Sequence, residues 1–303
     1  MIPSFPEFKS LELSDKKEIE SFAKRFPPYS DFYFASMWSW DVKNEVNVSK
    51  LNGNLIVRFT DYLNGEPFYS FLGEKDVNDT IEKLLAFSKE QSIEPKLKLV
   101  PEISVIELDR SRFNAIEDKD NFDYVLSIES LKPHDGTLRP LSSRRKLINK
   151  LKLLSKTEVI PIDISDPEIS KKILSVFSGW ESRQGIEARD INILKNALHK
   201  TLQSTDIDNT LAFGLYINDK FEGYSINEFL GHEYAIGSFQ QANTITSKAS
   251  YALLMQEVAV YLDQLGCKYL NLEQDLGIPG LRKWKLSYKP AYYLKKYIVT
   301  AIK

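Results

Sequence analysis

The run KYLNLEQDLGIPGLRKWKLSYKPAYYLKKY, residues 268–297, decides how the rest of the chain is read. Its first residues alternate. Leu270 and Leu272 fall on one side and Asn271, Glu273 and Asp275 on the other, the period-two pattern of a strand. Gly277, Pro279 and Gly280 then break that strand. A tight loop is expected next, rich in bases and aromatics: Arg282, Lys283, Trp284, Lys285, Tyr288, Tyr292, Tyr293 and Tyr297. Polar side chains on one strand face, followed by a loop delivering Arg and Lys, is how α/β proteins build a site at a strand's carboxyl end. A strand edge with solvated charges would carry the same spacing.

Outward from that run, the chain has 303 residues, enough for one large domain or two of ordinary size. With 43% hydrophobic and 12% aromatic residues it can bury a substantial core. Its 42 acids and 40 bases leave a net charge of -2, which gives no global electrostatic case for nucleic acid or membrane. The single cysteine, Cys267, excludes an internal disulfide, and its place at the opening of a strand suits the core better than a nucleophile. The N-terminal MIPSFPEFKS has no charged and apolar leader pattern, and no run of about 18 apolar residues occurs. A cytoplasmic protein without a transmembrane segment is expected.

In chain order, Ser14 and Asp15 open a helix with Ile19, Phe22, Ala23 and Phe26 on one face, ended by Pro27 and Pro28. The aromatic-dense SDFYFASMWSWD (Ser30–Asp41) reads as a second helix serving the core. Asn52 and Gly53 make a hairpin turn between VNVS and LIVRF. Strand Pro67–Leu72, helix Asn78–Gln91, strand Lys96–Val100 and strand Asp123–Ile128 follow. Later residues repeat this order: a hairpin through Asn218 and Asp219, strand Glu233–Phe239, helix Ser247–Leu265 and strand Tyr269–Leu272. That helix carries Leu254, Val258, Tyr261 and Leu265 on its inner face, with Gly266 as its cap. Each half thus reads hairpin, strand, helix, strand. Two α/β domains of one topology are expected, at residues 1–135 and 136–303.

Between them lies RPLSSRRKLINKLKLLSK, Arg139–Lys156, with seven bases and no acid. As a helix it puts Arg145, Asn149, Lys152 and Lys156 in one stripe and Leu147, Leu151 and Leu154 in another. So many bases in a balanced protein mark an anion-binding candidate, set against a solvated connecting helix. Asp166–Arg183 is a further amphipathic helix, with Ile169, Ile173, Val176, Phe177 and Trp180 inward.

The familiar nucleotide, zinc-protease and serine-hydrolase motifs are missing. His134, His199 and His232 are far apart and unclustered with cysteine, so no metal site is expected, and His199 and His232 each read as a surface histidine before a general base.

The segment Asn271–Tyr297 resembles the C-terminal signature of the DUF2156 family, which is related to the C-terminal catalytic domain of phosphatidylglycerol lysyltransferases. The shared pattern is an acidic strand, glycine, leucine-arginine, lysine, proline and a closing tyrosine. SDFYFASMWSWD, PFYSFLGE (Pro67–Glu74) and DYVLSIESLKPHDGTLRPLSSRRKLINKL (Asp123–Leu151) resemble other parts of it, so the likeness runs from about residue 30 to 297. The resemblance implies an α/β (mixed α+β) fold of two tandem GNAT-like domains, as in the FemABX transferases, each a mixed sheet flanked by helices. It implies an acyltransferase with no tightly bound cofactor, moving an aminoacyl group from aminoacyl-tRNA to a small-molecule, lipid-headgroup or peptide amine or hydroxyl. QQANTITSKAS, which follows Phe239, lacks the glycine loop that holds pyrophosphate at a helix N-terminus in acetyl-CoA-using relatives, a departure that counts against acetyl-CoA.

Such chemistry needs a positioned ester and nucleophile, a proton acceptor and cations for the developing oxyanion. Glu273 and Asp275 are expected to hold an ammonium or take the proton, and Arg282 and Lys285 to polarise the carbonyl or bind phosphate. Tyr297 would donate a hydrogen bond. Arg144, Arg145, Asn149 and Lys152 would meet the anionic donor, a tRNA acceptor end. An acetyl-CoA-dependent N-acetyltransferase and a non-catalytic GNAT-fold module binding an anionic ligand stand as alternatives.

Overall fold

Two hairpin turns set the registers of two sheets. Asn52 and Gly53 both take positive φ, 54° and 77°, the backbone of a two-residue type I′ turn, and bring Leu51 opposite Asn54. Asn218 and Asp219, at 50° and 63°, bring Ile217 opposite Lys220 in the same way. The structure, a computed structural model, describes residues 1–61, 64–133, 143–182, 188–204, 207, 209–231 and 233–302.

The strands are β1 (Lys9–Ser10), β2 (Asn47–Leu51), β3 (Asn54–Thr60), β4 (Pro67–Leu72), β5 (Leu97–Pro101), β6 (Phe113–Glu117), β7 (Asp123–Ser127), β8 (Thr157–Pro161), β9 (Thr210–Ile217), β10 (Lys220–Gly231), β11 (Tyr234–Ala242), β12 (Tyr269–Asn271), β13 (Tyr292–Leu294) and β14 (Lys296–Ala301). The helices are α1 (Lys16–Ala23), α2 (Phe34–Trp40), α3 (Val77–Glu90), α4 (Ile128–Leu131), α5 (Ser143–Leu154), α6 (Pro167–Glu181), α7 (Ala188–Gln203), α8 (Ser250–Gln264) and α9 (Pro279–Leu286).

The chain divides into two units. The first comprises Met1–Tyr124, Glu273–Ser287 and Tyr292–Lys303, and the second Val125–Leu272 and Tyr288–Ala291. A single break between residues 135 and 136 is therefore corrected to an interleaved division. Its cause is β14, which leaves the end of the chain to lie between β5 and β6 in the first sheet, ordered β1-β2-β3-β4-β5-β14-β6. Within the second unit the order is β7-β12-β11-β10-β9-β8. Hairpin, strand, helix, strand recurs as β2–β3, β4, α3, β5 and as β9–β10, β11, α8, β12, with the last strand parallel to its predecessor each time.

The core of the first unit joins Ile81, Leu84 and Leu85 of α3 to Ile56, Phe71, Leu97 and Val299. Their 3.6-residue spacing puts those helical residues on one inward face, and the same spacing serves α6, where Ile173 and Phe177, expected inward, are fully buried. Asp166 caps α6 by accepting from the Glu168 amide at 2.8 Å. In α8 the buried face is Leu254, Met255, Val258, Ala259 and Leu262, whereas Leu265 is 49% exposed. The helix has already ended there: Gly266 turns left-handed at φ 85°, and the Cys267 amide returns to the Leu262 carbonyl at 2.9 Å. Cys267 is 2% exposed, and burial pushes its thiol up to about 11, which fits a core role.

Three other expectations change. Ser30–Asp41 is a 3₁₀ turn (Ser30–Phe32) followed by α2, not one helix. The loop expected after Gly277 is largely α9, because Pro279 pre-sets helical φ at its first position. The basic helix spans Ser143–Leu154, and Arg139 lies outside the described residues.

Candidate active site

β12 ends at Asn271, and the next residues turn sharply. Glu273 and Leu276, at φ 59° and 54°, occupy the left-handed region that non-glycine residues avoid, and Gly277 follows at 73°. The strand alternation expected through Asp275 therefore stops before Glu273. The Glu273 carbonyl is tied down by the Tyr124 amide and by Lys285 Nζ, both at 3.1 Å. Its carboxylate, half-buried, accepts from Ser36 Oγ on α2 at 2.9 Å. Burial pushes this carboxyl up to about 7, with the Lys285 charge and the Ser36 hydrogen bond opposing. Lys285 is 4% exposed, donates also to the Gln274 carbonyl, and stands 5.6 Å from the Tyr124 ring centroid. Burial pulls its ammonium down to about 8, against the attraction of Glu273.

Asp275 is different. Fully buried, it accepts from Arg282 Nε and Nη2 at 2.8 Å each, from the Gly277 amide at 2.8 Å and from the Tyr124 hydroxyl. Burial alone would raise its carboxyl; the Arg282 and Tyr124 hydrogen bonds hold it below the usual range. Arg282 bonds Asp120 as well, at 2.5 Å. With its lone pairs taken, Asp275 has little capacity to accept a further proton, and Arg282 clamps it in place.

Beneath lies an ionic lattice. Lys296, at the start of β14, has no exposed side-chain surface and bonds Asp123 at 2.6 Å, Asp31, and Gln274 Oε1 at 3.3 Å. Ser30 donates its amide (2.8 Å) and hydroxyl (2.9 Å) to Asp123, and Gln274 Nε2 donates to Asp31 at 3.1 Å. Burial would lower the Lys296 ammonium, but Asp123 and Asp31 hold it well above its ordinary value. Asp31 is raised by burial and by the charge of Asp123. The lattice fixes Gln274, and with it the backbone on either side.

Of the residues expected at the site, Glu273, Asp275, Arg282 and Lys285 come together. Tyr297 does not join them: its hydroxyl donates to Glu102 at 3.4 Å, and its ring packs against the core of the first unit. Side chains alternate across β14, so Lys296 turns to the lattice and Tyr297 away. Asp31, Asp123, Gln274 and Lys296 were not anticipated. A lysine heading a mostly apolar strand, KYIVTA, was the available signal.

Arg144, Arg145, Asn149 and Lys152 lie on α5 in the second unit. Arg144 stacks on the Tyr288 ring at 3.8 Å, and Lys152 pairs with Glu257 at 2.6 Å. Lys156 pairs with Asp219 at 2.6 Å, so other elements supply acids that the run itself lacks. The second unit also buries a neutral polar group at a bulge in β10 between Ile226 and Asn227. Asn227 donates to Ser225 Oγ at 2.9 Å, Gln240 donates to Asn227 at 3.3 Å, and the Tyr251 hydroxyl donates to Gln240 at 2.7 Å. Tyr224 Oη, Gln241 Oε1 and Ser250 Oγ are buried without a hydrogen-bond partner among the described residues. His199 lies in α7; His134 and His232 fall outside the described residues. Among the described residues no cluster of three His, Cys, Asp or Glu could hold a metal, and no helix is long and apolar enough to cross a membrane.

Two mixed sheets, each with the same hairpin–strand–helix–strand order and a parallel closing strand, define a tandem GNAT-like fold of the acyltransferase kind. The chain belongs to the family "Phosphatidylglycerol lysyltransferase, C-terminal", whose model matches residues 23–300. Among solved structures it is similar to a conserved protein of unknown function from Bacteroides thetaiotaomicron VPI-5482, with 23% identity, TM-score 0.81 and 100% of both chains covered. It is similar to L-PGS from Bacillus licheniformis (11% identity, TM-score 0.61, 99% of this chain and 93% of that one) and to FemX (12%, 0.60, 98% and 97%). No curated relative matches.

Proposed function

We propose that this chain is an aminoacyltransferase that moves an aminoacyl group from aminoacyl-tRNA to an amine or hydroxyl acceptor. One observation carries the reading: Glu273 sits on a strained turn whose carbonyl is bonded by Lys285 of α9 at 3.1 Å, and burial shifts the carboxyl up and the ammonium down until both titrate near neutral pH. Glu273 takes the proton that the attacking amine or hydroxyl loses. The new bond forms at the ester carbonyl, the bond to the tRNA 3′-terminal ribose oxygen breaks, and that oxygen leaves with the proton from Glu273. The Lys285 ammonium stabilises the oxyanion in between. Asp275, Arg282 and the Lys296 lattice position both groups. α5, with Arg144, Arg145, Asn149 and Lys152, supplies the cationic surface for the donor's phosphates. Family membership supports the donor class, and among solved structures similar to this chain are L-PGS and FemX.

The test is transfer of labelled amino acid from aminoacyl-tRNA to a panel of amine and hydroxyl acceptors. Lys285→Ala should lower kcat by about 10²–10³. As base, Glu273 must be ionised, so kcat/KM falls as pH drops below about 7; Lys285 must be charged, so it falls again above about 8. Unchanged turnover in Lys285→Ala, or transfer from acetyl-CoA alone, would overturn the assignment.

A further inference from the structure

A cavity of about 130 Å³ lies in the first unit, far larger than the ~15 Å³ that a single buried water needs. Its walls are the rings of Phe59 and Phe68, whose centroids are 5.7 Å apart. Its polar lining holds Asp61, Asp118 and Asp120 against one cation, Lys98. Two of the carboxylates are engaged: Asp61 by Lys98 at 2.5 Å and Asp120 by Arg282 at 2.5 Å. Asp118, half-buried, accepts from the Asn121 side-chain amide at 2.8 Å and pairs with no cation among the described residues. We propose that this cavity binds an alkylammonium group, its chain along the Phe59 and Phe68 rings and its ammonium at Asp118.

The alternatives fit less well. An anion would meet three carboxylates, and the nearby cations are both committed to aspartates. A neutral apolar group would leave the half-buried Asp118 facing it without compensation. The cavity already shows how it handles an alkylammonium. Lys98 Nζ stands 5.2 Å from the Phe68 ring centroid while it bonds Asp61, a cation held jointly by a π face and a carboxylate.

The backbone is bent to permit this. Leu99 sits at φ 54° inside β5, and on that strand two residues, Lys98 and Leu99, oppose only Ile298 of β14 between the pairs Leu97–Val299 and Val100–Tyr297. In a regular strand, neighbours such as Lys98 and Leu99 would point to opposite faces; here both line the cavity. Gln274 and Leu276 close another side, so the turn that carries Glu273 and Asp275 is also a wall of this site. The inference does not depend on acyl transfer.

The experiment is isothermal titration calorimetry of the full chain with n-butylamine and putrescine, and with n-butanol and butyrate as controls. Saturable binding of the amines only is expected, weakened roughly tenfold or more in Asp118→Asn. Lys98→Gln removes the built-in competitor and should tighten amine binding several-fold. Amines that fail to saturate in the millimolar range, butanol binding as well as butylamine, or equal affinity in Asp118→Asn would each overturn the site. Should Asp118→Asn not fold, Lys98→Gln decides alone, and unchanged or weaker amine affinity there overturns it.

Discussion

The two units build their main buried polar clusters by different means. The first uses charged groups: Asp31 and Asp123 share the Lys296 ammonium, Arg282 clamps Asp275, and Gln274 and Ser30 fill the remaining positions. The cluster around Asn227 in the second uses neutral amides and hydroxyls, although that unit buries Glu222 and Glu228 elsewhere; Tyr224 Oη, Gln241 Oε1 and Ser250 Oγ there, like Ser49 Oγ and Ser70 Oγ in the first unit, have no hydrogen-bond partner among the described residues. Ionised groups in a low-dielectric interior are tolerated only when every charge is answered, so the first arrangement is all-or-none. Neutral groups have a smaller desolvation penalty, and single gaps among them are survivable. The difference teaches where rigidity is concentrated: the strained turn at Glu273 rests on the ionic lattice.

That contrast can be broken by substitution. Lys296→Met leaves two buried carboxylates unanswered and should destabilise by about 3–5 kcal/mol in chemical denaturation. Asn227→Ala in the second unit removes neutral bonds only and should lose roughly 1–3 kcal/mol. Equal losses would erase the distinction. Gly277→Ala tests the turn itself. Its φ of 73° resists a side chain and the added Cβ would stand 2.9 Å from Asp120 Oδ2, so a loss of about 1–3 kcal/mol is expected, with the Arg282 clamp disturbed.

Titration sharpens the comparison further. The folded protein holds the Glu273 proton more tightly than the unfolded chain, whose carboxyl titrates near 4.5. This residue's contribution to stability is therefore intact below 4.5 and lost as pH rises to about 7. Comparing wild type with Glu273→Gln across that range should show the slope vanish in the variant. The smallest effect is expected at Tyr224, whose buried hydroxyl has no partner among the described residues: Tyr224→Phe should be neutral or stabilising by up to about 1 kcal/mol in thermal unfolding. A clear loss there would show that the hydroxyl is engaged after all.

Much of the fold was legible because it is written locally. Asn52-Gly53 and Asn218-Asp219 announce their turns, Gly266 announces a helix end, and the 3.6 spacing of Ile81, Leu84 and Leu85 names the buried face of α3. Four site residues were legible for a similar reason: Glu273, Asp275, Arg282 and Lys285 lie within thirteen residues of one another. What escaped was non-local. Asp31, Asp123 and Lys296 meet across more than 250 residues of chain, and each aspartate alone looks like an ordinary surface charge. The left-handed backbone at Glu273 escaped too, since no glycine or asparagine marks it. Tyr297 was misplaced by one residue of strand parity, which belongs to its neighbour Lys296.

The position of β14 has a consequence for how the protein is made. When residue 290 emerges from the ribosome, every strand of the first sheet but one is free to fold, and the one still enclosed belongs between β5 and β6. Until it arrives, Asp31 and Asp123 lack the cation that answers them, and the core lacks Val299. The second unit holds all of β8 to β12 by then and is free to mature first, so vectorial synthesis reverses the written order of the domains. A nascent chain stalled at that point should expose protease-sensitive bonds in the earliest-made part of the molecule.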